Sequence, residues 1–225
     1  VPVSPMMTDH LKAYIQQLAP SCHALLISDY GLGVVSEPLI AACEEMAHAH
    51  GLVYAVDSQK PLKQFQGADI LTPNQPEAEA NVGFAFQTED DLLRAGQQIL
   101  TESRAKNLLI TRGQEGMSLF ESPQTPGEPI RVTHIPAFNK SDVFDVTGAG
   151  DTVVSTFTLA LSAGATPLEA AVLGNLAASI VVRRFGAATT HPTEMNEALS
   201  GLSESVFRQI HKSRRILEPS CMAGY

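Results

Sequence analysis

Residues 144–151 read F-D-V-T-G-A-G-D and lead directly into an apolar segment that ends at Gly164. Val153, Val154, Phe157 and Leu161 recur three or four positions apart in this segment, and that spacing places them on one face of a helix. Gly164 suits the C-terminal end of such a helix, because glycine readily adopts the left-handed conformation common there. The stretch therefore predicts a glycine-rich loop followed by a helix with one buried face.

The start of this predicted helix favours an anion. Gly148, Ala149 and Gly150 leave backbone N–H groups accessible, and the helix dipole adds positive potential at the same point. Asp151 lies in the first turn, where its carboxylate is held close to those donors. Phosphoryl transfer to a hydroxyl needs both features, donors for the developing charge and a base for the alcohol proton. A glycine-rich turn before an acidic helix start is also common, so these residues alone leave both interpretations open.

Composition limits the class of protein. The chain has 225 residues, which suits one large domain or two small ones, and 44% of them are hydrophobic, as in an ordinary globular α/β protein. The net charge of −9 argues against non-specific binding to nucleic acid or to an anionic membrane. An acidic enzyme can still bind a nucleotide locally, through backbone amides and a divalent metal ion.

Cysteine usage and the absence of a targeting pattern predict a cytoplasmic location. Cys22, Cys43 and Cys221 are widely spaced and match neither a zinc site nor a disulfide framework, so we expect reduced thiols. The sequence contains no apolar stretch long enough to span a membrane and no signal segment at its start.

Apolar runs alternate with amphipathic segments along the chain, which predicts a parallel α/β sheet with right-handed crossovers. Strands are predicted at residues 24–29, 52–57, 68–74 and 107–111, with an antiparallel pair at 117–121 and 130–134. Helices are predicted at residues 8–18, 36–50, 76–82, 88–103, 166–184, from 192 onward, and 203–217. The first four strands end in Asp29, Asp57, Asn74 and Thr111, and such polar strand ends predict a lined cleft at one edge of the sheet.

Residues 145–151, D-V-T-G-A-G-D, resemble the signature of the ribokinase-like carbohydrate kinases of the phosphofructokinase B type. In that family the last aspartate is the catalytic base and the preceding amides form an anion hole. The resemblance therefore implies Asp151 as the base and Gly148, Ala149 and Gly150 as the anion hole. It also implies a three-layer α/β/α sandwich with a mainly parallel sheet.

The resemblance is clearest over residues 24–199, and we expect one ribokinase-like α/β domain over residues 1–225, with a C-terminal helix and tail at 203–225. Family members normally carry a long N-terminal portion that holds a Gly-Gly motif, most sugar contacts and a small β lid. Only residues 1–23 precede the first predicted strand here. The expectation is an N-terminally shortened fold without the lid, with an unpaired strand edge through which the chain forms a homo-oligomer.

Residues 72–77, T-P-N-Q-P-E, resemble the family's N-x-x-E motif, which organises Mg²⁺ and the phosphates. The resemblance implies Asn74 and Glu77 as the metal-organising residues, and an amide and a carboxylate suit the oxygen ligands and bridging waters that Mg²⁺ prefers. Taken alone, the same residues equally suit a turn before a helix.

Three further segments match nucleotide-binding parts of the family. Residues 111–116, T-R-G-Q-E-G, resemble its T-x-G-x-x-G loop, which implies Thr111, Gly113 and Gly116 as ATP-binding residues. Asn175 matches a helical asparagine near the adenine, although a solvent-facing role is equally compatible with the sequence. Gly186 lies in a small-residue loop near the nucleotide that in some relatives takes part in binding a monovalent cation.

One branch of the family, the heptose phosphate kinases, is similar in residues 28–34, S-D-Y-G-L-G-V, and at Asp57. The match implies Asp29 and Asp57 as substrate contacts. That branch usually has D-Y-x-K-G where this chain has Leu32, so a lysine that would hold a substrate phosphate is missing.

The leading hypothesis is an ATP-dependent kinase that phosphorylates a hydroxyl of a sugar or sugar phosphate, with ATP and Mg²⁺ as its cofactors. The alternative is a truncated, catalytically impaired nucleotide-binding or subunit-interaction protein derived from such a kinase. A dinucleotide-dependent oxidoreductase ranks low, because no G-x-G-x-x-G follows the first predicted strand.

Overall fold

The computed structural model describes residues 3–123, 125, 128–138, 145–202 and 204–217. Helices and strands alternate along the chain. The helices are α1 (Pro5–Leu18), α2 (Glu37–His50), α3 (Gln75–Val82), α4 (Glu89–Ser103), α5 (Ala149–Ser162), α6 (Pro167–Val181), α7 (Pro192–Ser200) and α8 (Glu204–Lys212). The strands are β1 (Ala24–Asp29), β2 (Val53–Ser58), β3 (Ile70–Leu71), β4 (Asn107–Thr111), β5 (Met117–Glu121), β6 (Ile130–Ile135) and β7 (Arg215–Leu217).

The seven strands form one sheet in sequence order, from β1 at one edge to β7 at the other. Strands β1 to β4 pair in parallel, whereas β4–β5, β5–β6 and β6–β7 pair antiparallel. The sheet is therefore mixed, and strands β1 to β4 form the parallel part that the sequence predicts. Short connections between β4, β5 and β6 leave no room for a crossover helix, and only antiparallel neighbours can be joined in that way.

Helices cover both faces of the sheet, which gives the three layers expected from the sequence. One face packs against α1 to α4 around a core that includes Phe65, Leu71 and Phe120. The other face packs against α5, α6 and α8 around Leu109, Leu119 and Phe157, with α5 lying across β1 and β2. The predicted apolar stripe of the signature helix is confirmed, since Val153, Val154 and Phe157 are all buried.

Local sequence explains where most helices begin and end. Thr88 and Asp91 form a capping box at the start of α4, and Thr166 and Glu169 form another at the start of α6. Helix α2 ends at Gly51, which adopts φ of 63°, as the sequence predicts. Each of these helices therefore has a fixed position along the sheet.

Two predicted boundaries are wrong. The helix expected over residues 203–217 ends at Lys212 as α8, and the chain then adds the short strand β7 beside β6. The strand expected over residues 68–74 is reduced to the two residues of β3. The segment stays tied to β2, because the Thr72 N–H donates to the Val56 carbonyl at 3.0 Å. In both segments the extent of the strand depends on pairing with a neighbouring strand, which the periodicity of apolar residues does not predict.

Cys22 is exposed and Cys43 is buried, and both are free thiols, while Cys221 lies outside the described residues. None of the helices in the described ranges is long and apolar enough to cross a bilayer.

Candidate active site

The carboxyl ends of β1 to β4 meet at one edge of the sheet, as the sequence analysis expects. Asp29 and Asp57 lie on adjacent strands, with Asp57 opposite Ser28 and Asp29 opposite Ser58. Asn74 comes shortly after β3, Thr111 ends β4, and the two residues form an isolated parallel bridge. The four strand ends therefore line one edge, and α5 begins near them.

Asp151 lies in the first turn of α5, one of the helices that pack on β1 and β2. Gly148 is the N-cap residue and adopts φ of 76°, a left-handed conformation that favours glycine. The Ala149 N–H is used within the turn, since it donates to the Val146 carbonyl at 3.1 Å. No bond in the described part of the chain uses the N–H of Gly150, and a Cβ there would meet no heavy atom within 4 Å. The helix start thus offers open space beside free donors.

A contact that the sequence does not reveal joins Asp151 to the turn after β1. The Tyr30 hydroxyl donates a hydrogen bond to Asp151 Oδ1 at 2.5 Å, across 121 positions of the chain. This bond is the largest cause that raises the pKa of Tyr30 above its ordinary value, so the phenol stays protonated at neutral pH. Asp151 is therefore already bonded to a hydroxyl group in this structure.

Asp145, the first aspartate of the signature, stabilises the loop before α5. Its Oδ1 accepts from the Thr147 N–H and its Oδ2 accepts from the Gly186 N–H, both at 2.9 Å. These bonds hold the pKa of the Asp145 carboxyl below its ordinary value, with the contacts to Thr147 as the largest cause. Asp145 therefore ties the signature loop to the loop that carries Gly186. Phe144 lies outside the described residues.

Negative charge is concentrated around Asp57. Burial raises the pKa of its carboxyl to about 6, and the nearby carboxylates of Glu77 and Asp151 add to the shift. Asp57, Glu77 and Asp151 therefore lie close enough to interact electrostatically. A concentration of carboxylates at a cleft edge favours a bound cation.

Asp29 differs from Asp57 in its surroundings. Its side chain is 6% exposed, and its Oδ2 accepts from Ser58 Oγ at 3.0 Å while its Oδ1 accepts from the Gly31 N–H at 3.1 Å. Asp57 is opposite Ser28, one residue before Asp29 in β1. Because successive residues of a strand point to opposite faces, the side chains of Asp29 and Asp57 lie on opposite faces of the sheet. The structure assigns Asp29 to holding the turn that carries Tyr30, and does not bring it to Asp151.

Asn74 and Glu77 form a complete capping box at the start of α3. Asn74 Oδ1 accepts from the Glu77 N–H, and Glu77 Oε2 accepts from the Asn74 N–H, both at 2.9 Å. The helix-starting role that the sequence left open is therefore present. A metal-organising role is compatible with it, because Glu77 also interacts with Asp57.

The described residues contain no group of three or more histidine, cysteine or acidic side chains able to hold a metal on their own. Mg²⁺ commonly binds proteins through one or two carboxylates, with waters and substrate phosphates completing its shell. Asp57 and Glu77 supply carboxylates of that kind. The residues present therefore fit an ion held largely by water and phosphate.

The T-x-G-x-x-G segment forms a tight turn after β4. Thr111 ends that strand, and its N–H donates to the Pro73 carbonyl at 3.0 Å, which places the turn beside Asn74. Gly116 has φ of 89°, and a Cβ there would lie 2.0 Å from the Ile135 carbonyl oxygen. Gly113 has open space around it. Gly116 is thus required by packing, while Gly113 leaves the turn approachable.

Asn175 is not on the surface. Its side chain is 4% exposed, and its Nδ2 donates to the Pro136 carbonyl at 2.7 Å. Because Asn175 is buried, the solvent-facing alternative is wrong, and the adenine contact stays a prediction. Gly186 lies in an exposed loop with open space beside it.

Comparison with known proteins identifies the family. A model described as pfkB family carbohydrate kinase matches residues 3–194, which is most of the chain. The chain belongs to the pfkB family of carbohydrate kinases. The match includes the signature, the N-x-x-E segment and the glycine turn on which the resemblance depends.

Relatives in this family are larger than the present chain. The bifunctional protein HldE of Proteus mirabilis is 36% identical over 201 residues, which are 89% of this chain and 40% of that protein. HldE of Geobacter metallireducens is 38% identical over 195 residues, 86% of this chain and 38% of that protein. The chain thus spans about 40% of the length of these relatives.

Solved structures of pfkB-type kinases share the fold. Escherichia coli phosphofructokinase-2 in complex with potassium superposes with a TM-score of 0.73 at 21% identity, over 88% of this chain and 63% of that one. Arabidopsis thaliana ribokinase complexed with ribose and ATP gives a TM-score of 0.71 at 20% identity, over 90% and 61%. The ribokinase-like fold expected from the sequence is confirmed.

Proposed function

We propose that this pfkB family member transfers the γ-phosphoryl group of ATP to a hydroxyl of a sugar or sugar phosphate, with Asp151 as the general base. The observation that carries the proposal is the position of Asp151. It lies at the N-terminus of α5, beside the Gly150 N–H, which has no acceptor among the described residues, and its Oδ1 is 2.5 Å from the Tyr30 hydroxyl oxygen. A base must be within hydrogen-bond reach of the proton it removes, and Asp151 has that geometry toward an O–H group.

The chemistry of the chain's own residues follows from this arrangement. The acceptor hydroxyl donates to Asp151, which takes its proton as the oxygen attacks the γ-phosphorus. The bond from that phosphorus to the β–γ bridging oxygen breaks, and ADP leaves. Backbone donors of the Gly148–Gly150 segment, together with the dipole of α5, stabilise the negative charge on the transferring group.

Nucleotide and metal binding are assigned to the adjacent strand ends. Thr111, Gly113 and Gly116 would contact ATP, because their turn lies beside the bridge between Asn74 and Thr111. Asn74 and Glu77 would hold Mg²⁺ through waters, with the Asp57 carboxylate as a further oxygen ligand beside Glu77, and the ion would neutralise phosphate charge when bound. Gly186 and its loop would contact a monovalent cation, as the family resemblance implies, and the structure of phosphofructokinase-2 in complex with potassium is compatible with that role.

The substrate class is inferred from relatives. Phosphofructokinase-2 has been solved with fructose-6-phosphate and ribokinase with ribose. Both acceptors are small sugars with a free hydroxyl. Because HldE proteins are among the relatives with more than 30% identity, a heptose phosphate belongs in the acceptor panel beside these two.

Turnover of Mg·ATP against ribose, fructose 6-phosphate and a heptose phosphate tests the proposal. We expect saturable ADP formation that depends on one of these acceptors. Tight binding of ADP with no transfer to any acceptor would contradict the proposal and favour the nucleotide-binding alternative.

A further inference from the structure

The Tyr30–Asp151 contact has no role in the transfer described above. Tyr30 lies directly after β1, and Asp151 lies on α5, so the bond spans two separate elements. Within the described ranges, no other side chain donates a hydrogen bond to Asp151. The phenol therefore occupies Asp151 Oδ1, one of the two carboxylate oxygens that could receive a proton from a hydroxyl.

Tyr30 presents to Asp151 the same chemical group as a sugar substrate, a neutral hydroxyl. Its O–H donates to Asp151 Oδ1 at 2.5 Å, within the range of a strong hydrogen bond between a hydroxyl and a carboxylate. A sugar hydroxyl that delivers its proton to Asp151 needs the same kind of contact. The two donors compete for this oxygen.

Tyr30 can leave without disturbing the core. Its side chain is 56% exposed, so little apolar surface is lost when the ring moves. The turn beneath it is anchored separately, by Asp29 accepting from the Gly31 N–H and from Ser58 Oγ. The backbone can therefore stay in place while the phenol ring swings away from Asp151.

We propose that the Tyr30 hydroxyl occupies the position on Asp151 that the acceptor hydroxyl takes during transfer, so that an acceptor must displace it. Tyr30 is then a positioning residue that keeps the base occupied until an acceptor arrives. The inference rests on the proposed role of Asp151 as the base. Its consequence is protection of ATP, because the phenol fills a position on Asp151 that an attacking water would need and makes the carboxylate a weaker base toward water.

Removal of the hydroxyl should release the base. In Tyr30→Phe the ring is kept, but Asp151 Oδ1 becomes free to accept a proton from water. The water oxygen then bonds to the γ-phosphorus, the bond to the β–γ bridging oxygen breaks, ADP leaves and the proton passes to Asp151. We expect ATP hydrolysis without any acceptor to rise about tenfold or more, the factor that corresponds to a hydrogen bond with a charged partner.

The experiment measures phosphate release from Mg·ATP alone by four proteins, the wild type, Tyr30→Phe, Tyr14→Phe and the double variant Tyr30→Phe with Asp151→Asn. Tyr14 is a matched control, because it is a 60% exposed tyrosine on α1. Tyr14→Phe should behave as the wild type, and the double variant should lose the increase. For any acceptor turned over, Tyr30→Phe should also lower the acceptor KM and leave the ATP KM unchanged.

The outcomes separate this inference from the proposed function. Acceptor-dependent transfer by the wild type, with no rise in hydrolysis by a folded Tyr30→Phe or Tyr30→Leu variant, overturns the role of Tyr30 and leaves the kinase function standing. An Asp151-dependent rise in hydrolysis without transfer to any sugar supports the blocking role and contradicts the sugar acceptor. If neither acceptor-dependent transfer nor a rise in hydrolysis is observed, both the kinase function and the role of Tyr30 are contradicted.

Discussion

At the scale of single residues, Asp57 makes the stability of the protein depend on pH. Its folded-state pKa of about 6 lies above that of an unfolded chain, so the folded carboxyl keeps its proton to higher pH. Stability should therefore fall as pH rises from about 4 to about 6, with the full penalty present above that range.

Asp57→Asn should remove this penalty. We expect the variant to be more stable than the wild type at pH 7.5 by on the order of 2 kcal/mol, a value reduced for the partial exposure of the side chain to solvent. The difference in stability should shrink toward pH 4. Calorimetric unfolding across this pH range measures it, with Asp9→Asn on exposed α1 as the control for net charge. An equal change of stability in both variants would show that burial of Asp57 beside Glu77 and Asp151 does not destabilise the fold.

Also at this scale, the sequence predicts candidate residues of the site better than it predicts their contacts. Asp151, Asn74 and Glu77 can be proposed from the sequence because they lie in short motifs whose residues are neighbours in the chain. Tyr30 is missed, since its partner is 121 positions away and only the packing of α5 on β1 joins them. Asp29 and Asp57 look alike in sequence, and only the register of β1 against β2 separates them.

At the scale of elements, Glu77 has a structural role in the capping box of α3 and a proposed role in binding Mg²⁺. The two roles can be separated by measuring stability and magnesium dependence in the same variant. Glu77→Ala removes the bond to the Asn74 N–H, which should cost about 1 kcal/mol of stability. It also removes a carboxylate beside Asp57. We therefore predict that the variant needs more Mg²⁺ to bind ATP, measured by calorimetry over a magnesium titration.

Glu169→Ala is the matched control for this prediction. Glu169 occupies the same position in the capping box of α6, where its Oε2 accepts from the Thr166 N–H at 2.8 Å. Both variants should lose similar stability, but only Glu77→Ala should change the magnesium requirement. Identical titrations would exclude Glu77 from the metal site.

Element types follow from the sequence where burial imposes a clear pattern. Strands β1, β2 and β4 are apolar runs, and α5 has a regular apolar stripe. Strand β7 has no such signal, because Arg215 and Ile216 are exposed and the strand exists only through its pairing with β6. A three-residue edge strand is defined by its neighbour rather than by its own residues.

At the scale of the whole molecule, β1 is an edge strand that pairs with β2 alone in the described residues. The carbonyls of His23 and Asp29 accept from the β2 side, so the alternate N–H groups, including that of Ala24, point away from the sheet. Unpaired strand edges promote association. We predict that the chain self-associates through β1.

Sedimentation velocity over a range of concentrations tests this prediction. Ala24→Pro removes one outward donor at the first residue of the strand, a position that tolerates proline, and should shift the equilibrium toward monomer. A wild-type sedimentation coefficient that does not change with concentration, at the value of a monomer, would contradict it.

Asp151 is the proposed base of the phosphoryl transfer, and the decisive measurement of that role is single-turnover transfer by Asp151→Asn. The amide keeps the size of the side chain but cannot take a proton. With the acceptor that the wild type uses, we predict a loss of roughly 10²-fold or more in the transfer rate, while calorimetry shows nearly unchanged affinity for Mg·ATP. Transfer at the wild-type rate by this variant would contradict the account.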